Sequence, residues 1–309
     1  MGYSAVYLKP LASRLWSSAW PLLALCNLFW AGNIVIGRAV AGQVPPIALA
    51  YWRWTGAFML AFGFAWPHLK HDWPLLLRHW RMMLLLALTG FATYNTMSYI
   101  GLQYTTALNA LLLQSVMPVL ILIWAFALYG ERPSAWQSLG VVVSLVGVAS
   151  IASGGSLDTF LQLSFNRGDT WILVALALNA VYAPLLRRRP AVHPLSFIVV
   201  AMGLASLMML PFYLYEASGG AVIRGGLPSY AAIAYAAVLP SFVAYAFFTR
   251  GVELIGAARA GQSAHLMPVI GSVLAVLFLG ERFHVYHAAG ALLIGAGILL
   301  ASRKRAASA

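Results

Sequence analysis

Charge is scarce in this chain. Asp, Glu, Lys and Arg make up 8% of its 309 residues while 62% are hydrophobic, a composition that water cannot cover, so a soluble protein is excluded. Cysteine occurs once, at Cys26 inside the first apolar run, which leaves neither an internal disulfide nor a thiolate metal cluster. Acidic residues number 7, and none falls in the middle of an apolar run: Glu131, Glu216, Glu253 and Glu281 lie at run ends or in loops, as do Asp72, Asp158 and Asp169. The excess of 19 Lys and Arg invites a nucleic-acid reading in a soluble protein, but here it sets membrane orientation, and no nucleic-acid partner is expected.

Long hydrophobic runs are what the chain does have. A hydrocarbon core of about 30 Å takes roughly 20 apolar residues per helical span. Breaks at Gly, Pro and charge give ten runs, at about 20–40, 46–67, 82–102, 106–129, 135–153, 170–186, 194–215, 229–249, 257–279 and 285–302. They are too long and continuous for barrel strands, and backbone groups in lipid must be bonded within the segment, so the predicted class is all-α, a polytopic membrane protein with ten transmembrane helices. The loops leave no room for a separate aqueous domain. Ala39-Val40-Ala41 imitates a signal-peptidase site, but Asn33 and Arg38 interrupt the approach to it. With both termini cytoplasmic, 14 of the 19 basic residues fall on the inner side and 4 on the outer, with Arg53 inside the second run. The expected location is the cell inner membrane, with the lipid bilayer as partner.

The strongest signal is a self-match at an offset of 150 residues. VMPVLILIWAFALYGER at 116–132 aligns with LMPVIGSVLAVLFLGER at 266–282, pairing Met117 with Met267, Pro118 with Pro268, and Gly130-Glu131 with Gly280-Glu281. Gly101, Ala107, Gly140 and Gly147 recur as Gly251, Ala257, Gly290 and Gly297. The chain therefore divides into a first repeat, 1–153, and a second, 154–309, within one membrane domain. Five spans is an odd number, so the second copy enters from the opposite face, giving a 5+5 inverted repeat. Such halves can open a midplane site alternately to each side.

The ten-run plan, the doubled repeat, and GERPSAWQSLGVVVSLVGVAS with its echo GERFHVYHAAGALLIGAGILLAS resemble the EamA-type branch of the drug/metabolite transporter superfamily. The likeness covers nearly the whole chain. It implies a carrier of small metabolites working by alternating access, and among its members the chain is most similar to the YddG-type exporters of aromatic and other neutral amino acids. No enzyme activity and no cofactor are expected, and the partner is a small-molecule substrate.

Pro118 and Pro268 sit at equivalent depth in the fourth and ninth runs, where each removes a helical hydrogen bond and frees the backbone at Gln114 and Ala264. They either gate a cavity or only shape packing. Polar side chains that hydrocarbon disfavours gather around them: Asn109, Gln114 and Ser115 on the fourth run, Gln262, Ser263 and His265 on the ninth. Mixed aromatic and polar positions on other runs complete the predicted substrate-binding set: Trp30 and Asn33, Tyr94, Asn95 and Tyr99, and Tyr182 beside Asn179. Arg53 either snorkels outward or clamps a substrate carboxylate, and the structural role carries more weight. With no mid-run carboxylate, His265 is the sole candidate for a proton-linked step, and the simpler expectation is facilitated diffusion.

Gly140 with Ser144, and Ala291 with Gly295, have small-xxx-small spacing that serves either the bundle or a homodimer. The competing class is an integral membrane enzyme, for which His68, His71, Asp72 and His79 are the nearest cluster. Their spacing fits no helical metal motif, and no metal is expected.

Overall fold

Where they are described the apolar runs are helical, and no strand occurs among the described residues of the computed structural model, which are 15–131, 133–156, 158, 166–256, 260–261 and 263–302. In chain order the helices are α1 (Ala19–Ala39), α2 (Pro46–Arg78), α3 (Trp80–Ala87), α4 (Thr93–Gly101), α5 (Ala107–Leu113), α6 (Met117–Tyr129) and α7 (Ala135–Ala152). The second half supplies α8 (Arg167–Leu185), α9 (Pro194–Ser218), α10 (Leu227–Ala237), α11 (Ala244–Ile255), α12 (Leu266–Leu279) and α13 (Val285–Ser302).

Six helical segments among the described residues are long and apolar enough to cross a membrane: α1, α5 through α6, α7, α8 with its last turn, α9, and α10 through α11. A seventh combines α2 with α3 through α4, which meet at His79 with a bend of 100°, while Ser263–Leu279 and Val285–Leu300 are shorter apolar helices. Among the described residues the ten-run reading therefore finds six or seven full-length counterparts. One cause is that α2 outruns its apolar stretch. The sequence places its end near Pro67, yet the helix continues to Arg78 with Pro67 and Pro74 inside it. Each proline forfeits a hydrogen bond, and the polar extension is held to the chain before α9. There the Asp72 carboxylate accepts the His193 backbone N–H at 3.0 Å, and the His68 and His193 rings stack at 3.6 Å.

The 150-residue echo has a structural form. A π-helical turn, Leu88–Ala92, separates α3 from α4, and another, Val238–Val243, separates α10 from α11. Short 3₁₀ turns, Gln114–Val116 and Ser263–His265, precede α6 and α12. Both of those helices end on a left-handed glycine, Gly130 at φ 67° and Gly280 at φ 64°, where a side chain would be strained.

Packing respects the same doubling. α1 rests on α11 and α12, and α8 correspondingly rests on α4 and α6. α2 packs along α9 and α7 along α13, each helix with its own counterpart. Both pairs run antiparallel. Along the first, Glu216 meets Ile47, Tyr213 stacks on Tyr51 at 4.6 Å, Ser206 bonds Thr55 at 2.6 Å, and Val199 packs with Ala61 and Ala65. Along the second, Gly297 meets Gly140 and Ser144 while Gly290 meets Gly147 and Ile151. A Cβ on Gly297 would fall 2.5 Å from the Gly140 carbonyl oxygen, so only glycine permits this approach. The small-residue stripe of α7 is thus used inside the chain, whereas Gly295 of α13 faces open space and makes no close approach within the bundle.

Candidate functional site

A cavity of about 520 Å³ lies between the two halves, a size in the usual range for small-molecule sites. Three kinds of backbone irregularity frame it. The first π turn brings Gly90 to its wall, and a Cβ there would sit 2.4 Å from the Tyr182 ring, so the missing side chain lets Tyr182 lie against the helix. Prolines on two broken helices, Pro118 and Pro268, line the same space together with Gln114, Ser115 and His265 from the 3₁₀ turns. The Gln114 carbonyl is not left free, as the proline argument predicts. The tightened turn lets it accept the Met117 N–H, which meets the need for a partner locally.

Trp30, Asn33, Tyr94, Asn95 and Tyr182 also face the cavity, as does Asn179. One predicted residue does not join them, and another is not placed. Tyr99 is 1% exposed and stands behind the wall, and Gln262 lies outside the described residues. Asn109 is placed near one end of the bundle. There its amide donates to Asp169 at 3.1 Å and its Oδ1 bonds His287 at 2.8 Å, while Thr105 donates to the same Asp169 carboxylate.

Aromatic rings form one side of the site. Trp30 donates its indole N–H to the Pro240 carbonyl at 3.0 Å, a bond fixed by the second π turn, and meets Tyr245 edge-on at 5.9 Å. Phe91 lies behind, stacked with Tyr245 at 5.8 Å and edge-on to Tyr182 at 5.9 Å. Tyr245 was not selected from the sequence. It is the 150-residue counterpart of Asn95, and the repeat is the signal that identifies it.

Arg53 is the fixed charge of the cavity wall. It does not snorkel: it is 3% exposed, and neutral groups hold its guanidinium from several helices. Nε donates to Ser241 at 2.7 Å, and Nη1 donates to Asn95 Oδ1 at 2.6 Å and to the Tyr99 hydroxyl at 3.0 Å. The Tyr99 hydroxyl in turn donates a hydrogen bond to Asn33 Oδ1 at 2.6 Å. The Trp54 ring lies 4.7 Å from the guanidinium carbon. No carboxylate lines the cavity among the described residues.

The two ends of the bundle differ. At one, both carboxylate oxygens of Glu281 accept N–H groups from the first turn of α5, Ala107 and Leu108, at 2.8 Å each. Glu216 likewise caps Ile47 and Ala48 of α2. At the other end Glu131, the counterpart of Glu281, forms an exposed ion pair with Arg187, whose guanidinium holds the carboxyl below the ordinary range. The capping role of Glu281 has no local sequence signal, because its partners lie 174 and 173 residues away.

Among the described residues, no three His, Cys, Asp or Glu side chains converge in a way that could hold a metal. Ser115, His265 and Pro268 also border a second, largely apolar groove of about 850 Å³ between α12 and α13.

Comparison with known proteins agrees with this architecture. The EamA-like transporter family model matches twice, over residues 18–153 and 166–303. The chain is 25% identical to the uncharacterized transporter YyaM of Bacillus subtilis (strain 168), over 89% of this chain and 90% of that protein. It is 26% identical to the uncharacterized inner membrane transporter YicL of Salmonella typhimurium over 74% of this chain and 75% of the other. It is also 26% identical to a probable terminal-alkyne amino-acid exporter of Streptantibioticus cattleyicolor, over 72% and 73%. A solved crystal structure with 19% identity superposes at a TM-score of 0.60, covering 93% of this chain and 98% of that one, which shows a shared fold.

Proposed function

Because the chain belongs to the EamA-like transporter family, we propose that it is a secondary carrier of ten spans in two inverted halves that exports aromatic and other neutral amino acids. The observation that carries this reading is the cavity itself, which takes broken helices, one proline each, from both matched copies. Antiparallel packing of α2 with α9 and of α7 with α13 supports the inversion. The amino-acid class is supported by the rings of Trp30, Tyr94, Tyr182 and Tyr245 beside amide side chains, and by the name of the Streptantibioticus relative. Ring faces attract an ammonium group or stack on an apolar side chain.

Transport is uncoupled in this reading, since the cavity offers no carboxylate to carry a proton or bind sodium. It places the protein in the inner membrane with both termini cytoplasmic, a reading the Lys and Arg bias supports, and it assigns no enzymatic step. Residues 1–153 and 154–309 are the two halves.

Counterflow in liposomes tests it. Labelled phenylalanine or leucine should enter vesicles preloaded with the unlabelled amino acid, at a rate unchanged by a pH gradient. Accumulation that follows the gradient would overturn the uncoupled mechanism, and no exchange of any amino acid would overturn the substrate class.

A further inference from the structure

We propose that Arg53 seats a substrate carboxylate, so that the cavity takes zwitterions and organic carboxylate anions and turns away cations that lack a carboxylate. This rests on the carrier reading and adds to it the charge pattern of the solute.

The argument begins with an unbalanced charge. Ion pairs among the described residues are Arg187–Glu131 and Arg250–Glu253, both involving exposed side chains away from the cavity. Of the other five acidic side chains, Asp169 is held by Thr105 and Asn109, Glu216 by α2, Glu281 by α5 and Asp72 by His193, and Asp158 is exposed and absent from the cavity wall. Every side chain that the Arg53 guanidinium bonds is neutral. A guanidinium does not shed its proton to escape burial as a lysine can, so charge in a low-dielectric bundle calls for an anion.

Geometry says where the anion goes. Ser241, Asn95 and Tyr99 engage Nε and Nη1, which fixes the plane of the fork, and no described hydrogen bond uses Nη2. Arg53 is also part of the cavity wall, next to Asn33 and Asn95. A carboxylate arriving from the cavity meets a preorganised donor, and ordering it costs little because three neighbours already hold the side chain. Trp30, Tyr182 and Tyr245 are then left to receive the rest of an amphipathic solute. The same field opposes a cation, since the cavity gives it ring faces and amide oxygens but no carboxylate.

The test uses the full chain, purified and in liposomes, with three compounds that share a phenyl ring and differ in charge: L-phenylalanine, 3-phenylpropionate and 2-phenylethylamine. Expected results are thermal stabilisation by the first two and at least tenfold weaker binding of the amine. Arg53→Lys, which keeps the charge and loses the fork, should weaken phenylpropionate binding tenfold or more, and Arg53→Gln should abolish it. Equal binding of all three compounds, or wild-type affinity for phenylpropionate in Arg53→Gln, would overturn the carboxylate seat and leave the carrier reading standing. Stabilisation by chloride as strong as by phenylpropionate, measured at matched ionic strength against an isethionate background that contains no carboxylate, would also overturn it. Binding of phenylpropionate without flux of any solute would instead sink the carrier reading and keep the seat. If Arg53→Gln does not assemble, the three-compound series on the wild-type protein decides alone.

Discussion

Tyr182 lies over Gly90 so closely that a methyl group on the glycine would fall 2.4 Å from one ring carbon and 2.8 Å from the carbon that attaches the ring. The whole ring would have to move, and the open side is the cavity. Gly90→Ala should therefore push Tyr182 into the solute's space and cut flux about tenfold or more, the effect of roughly 1.4 kcal/mol of lost binding. Gly63→Ala, at a site with nothing within 4 Å of an added Cβ, should match wild type. Initial rates in liposomes, normalised to inserted protein, check both.

Glu281 and Glu131 are counterparts in unlike circumstances. Removing Glu281 leaves the first-turn N–H groups of Ala107 and Leu108 without their acceptor, so Glu281→Ala should cost about 1–3 kcal/mol and lower the melting temperature. Glu131→Ala should leave it unchanged, because the pair with Arg187 is exposed and screened. The Glu131 carboxyl is held below its ordinary value. Whatever that pair contributes is therefore present above the ordinary carboxylate range and is lost as pH falls through the lowered value. Melting curves of the two variants and the wild type from pH 2 to 8 separate the cases.

Between α7 and α13 the close approach depends on Gly297 and not on Gly295. Gly297→Ala forces a Cβ to 2.5 Å from the Gly140 carbonyl oxygen and should destabilise by about 1–3 kcal/mol through overpacking, while Gly295→Ala should be neutral. Thermal unfolding in one detergent distinguishes them.

Topology is open to a direct check. In a Cys26→Ala background, a cysteine at Ser134, between α6 and α7, should react with a membrane-impermeant maleimide only from the cytoplasmic side. A cysteine at Gly225, between α9 and α10, should react only from the other side. Labelling of both from one face would refute the inverted arrangement.

Much of the fold can be read from the chain because its largest features are long-range regularities of text. The offset joining Pro118 to Pro268 also locates both 3₁₀ turns, and Gly130 and Gly280 mark equivalent helix ends. What escapes is decided by contacts between helices. Asn109 has the look of a cavity residue, yet helix rotation and depth send it to Asp169 and His287. Tyr99 and Arg53 lie on different helices, and nothing in their local sequence tells that one orients the other. Hydropathy sees a loop acid in Glu281, since the backbone it satisfies belongs to a distant helix start.

The self-paired contacts have a further meaning for motion. Exchanging the roles of the two halves turns the α1 contacts into those of α8, but it maps α2 against α9, and α7 against α13, onto themselves. In the proposed alternating-access cycle these two seams serve as pivots, holding the same partners at either extreme, while the α1 and α8 contacts trade places. A disulfide replacing Thr55 and Ser206, whose hydroxyls already meet at 2.6 Å across the α2–α9 seam, should then spare turnover, and one from Leu108 to Glu281 should halt it with the carrier frozen at a single face.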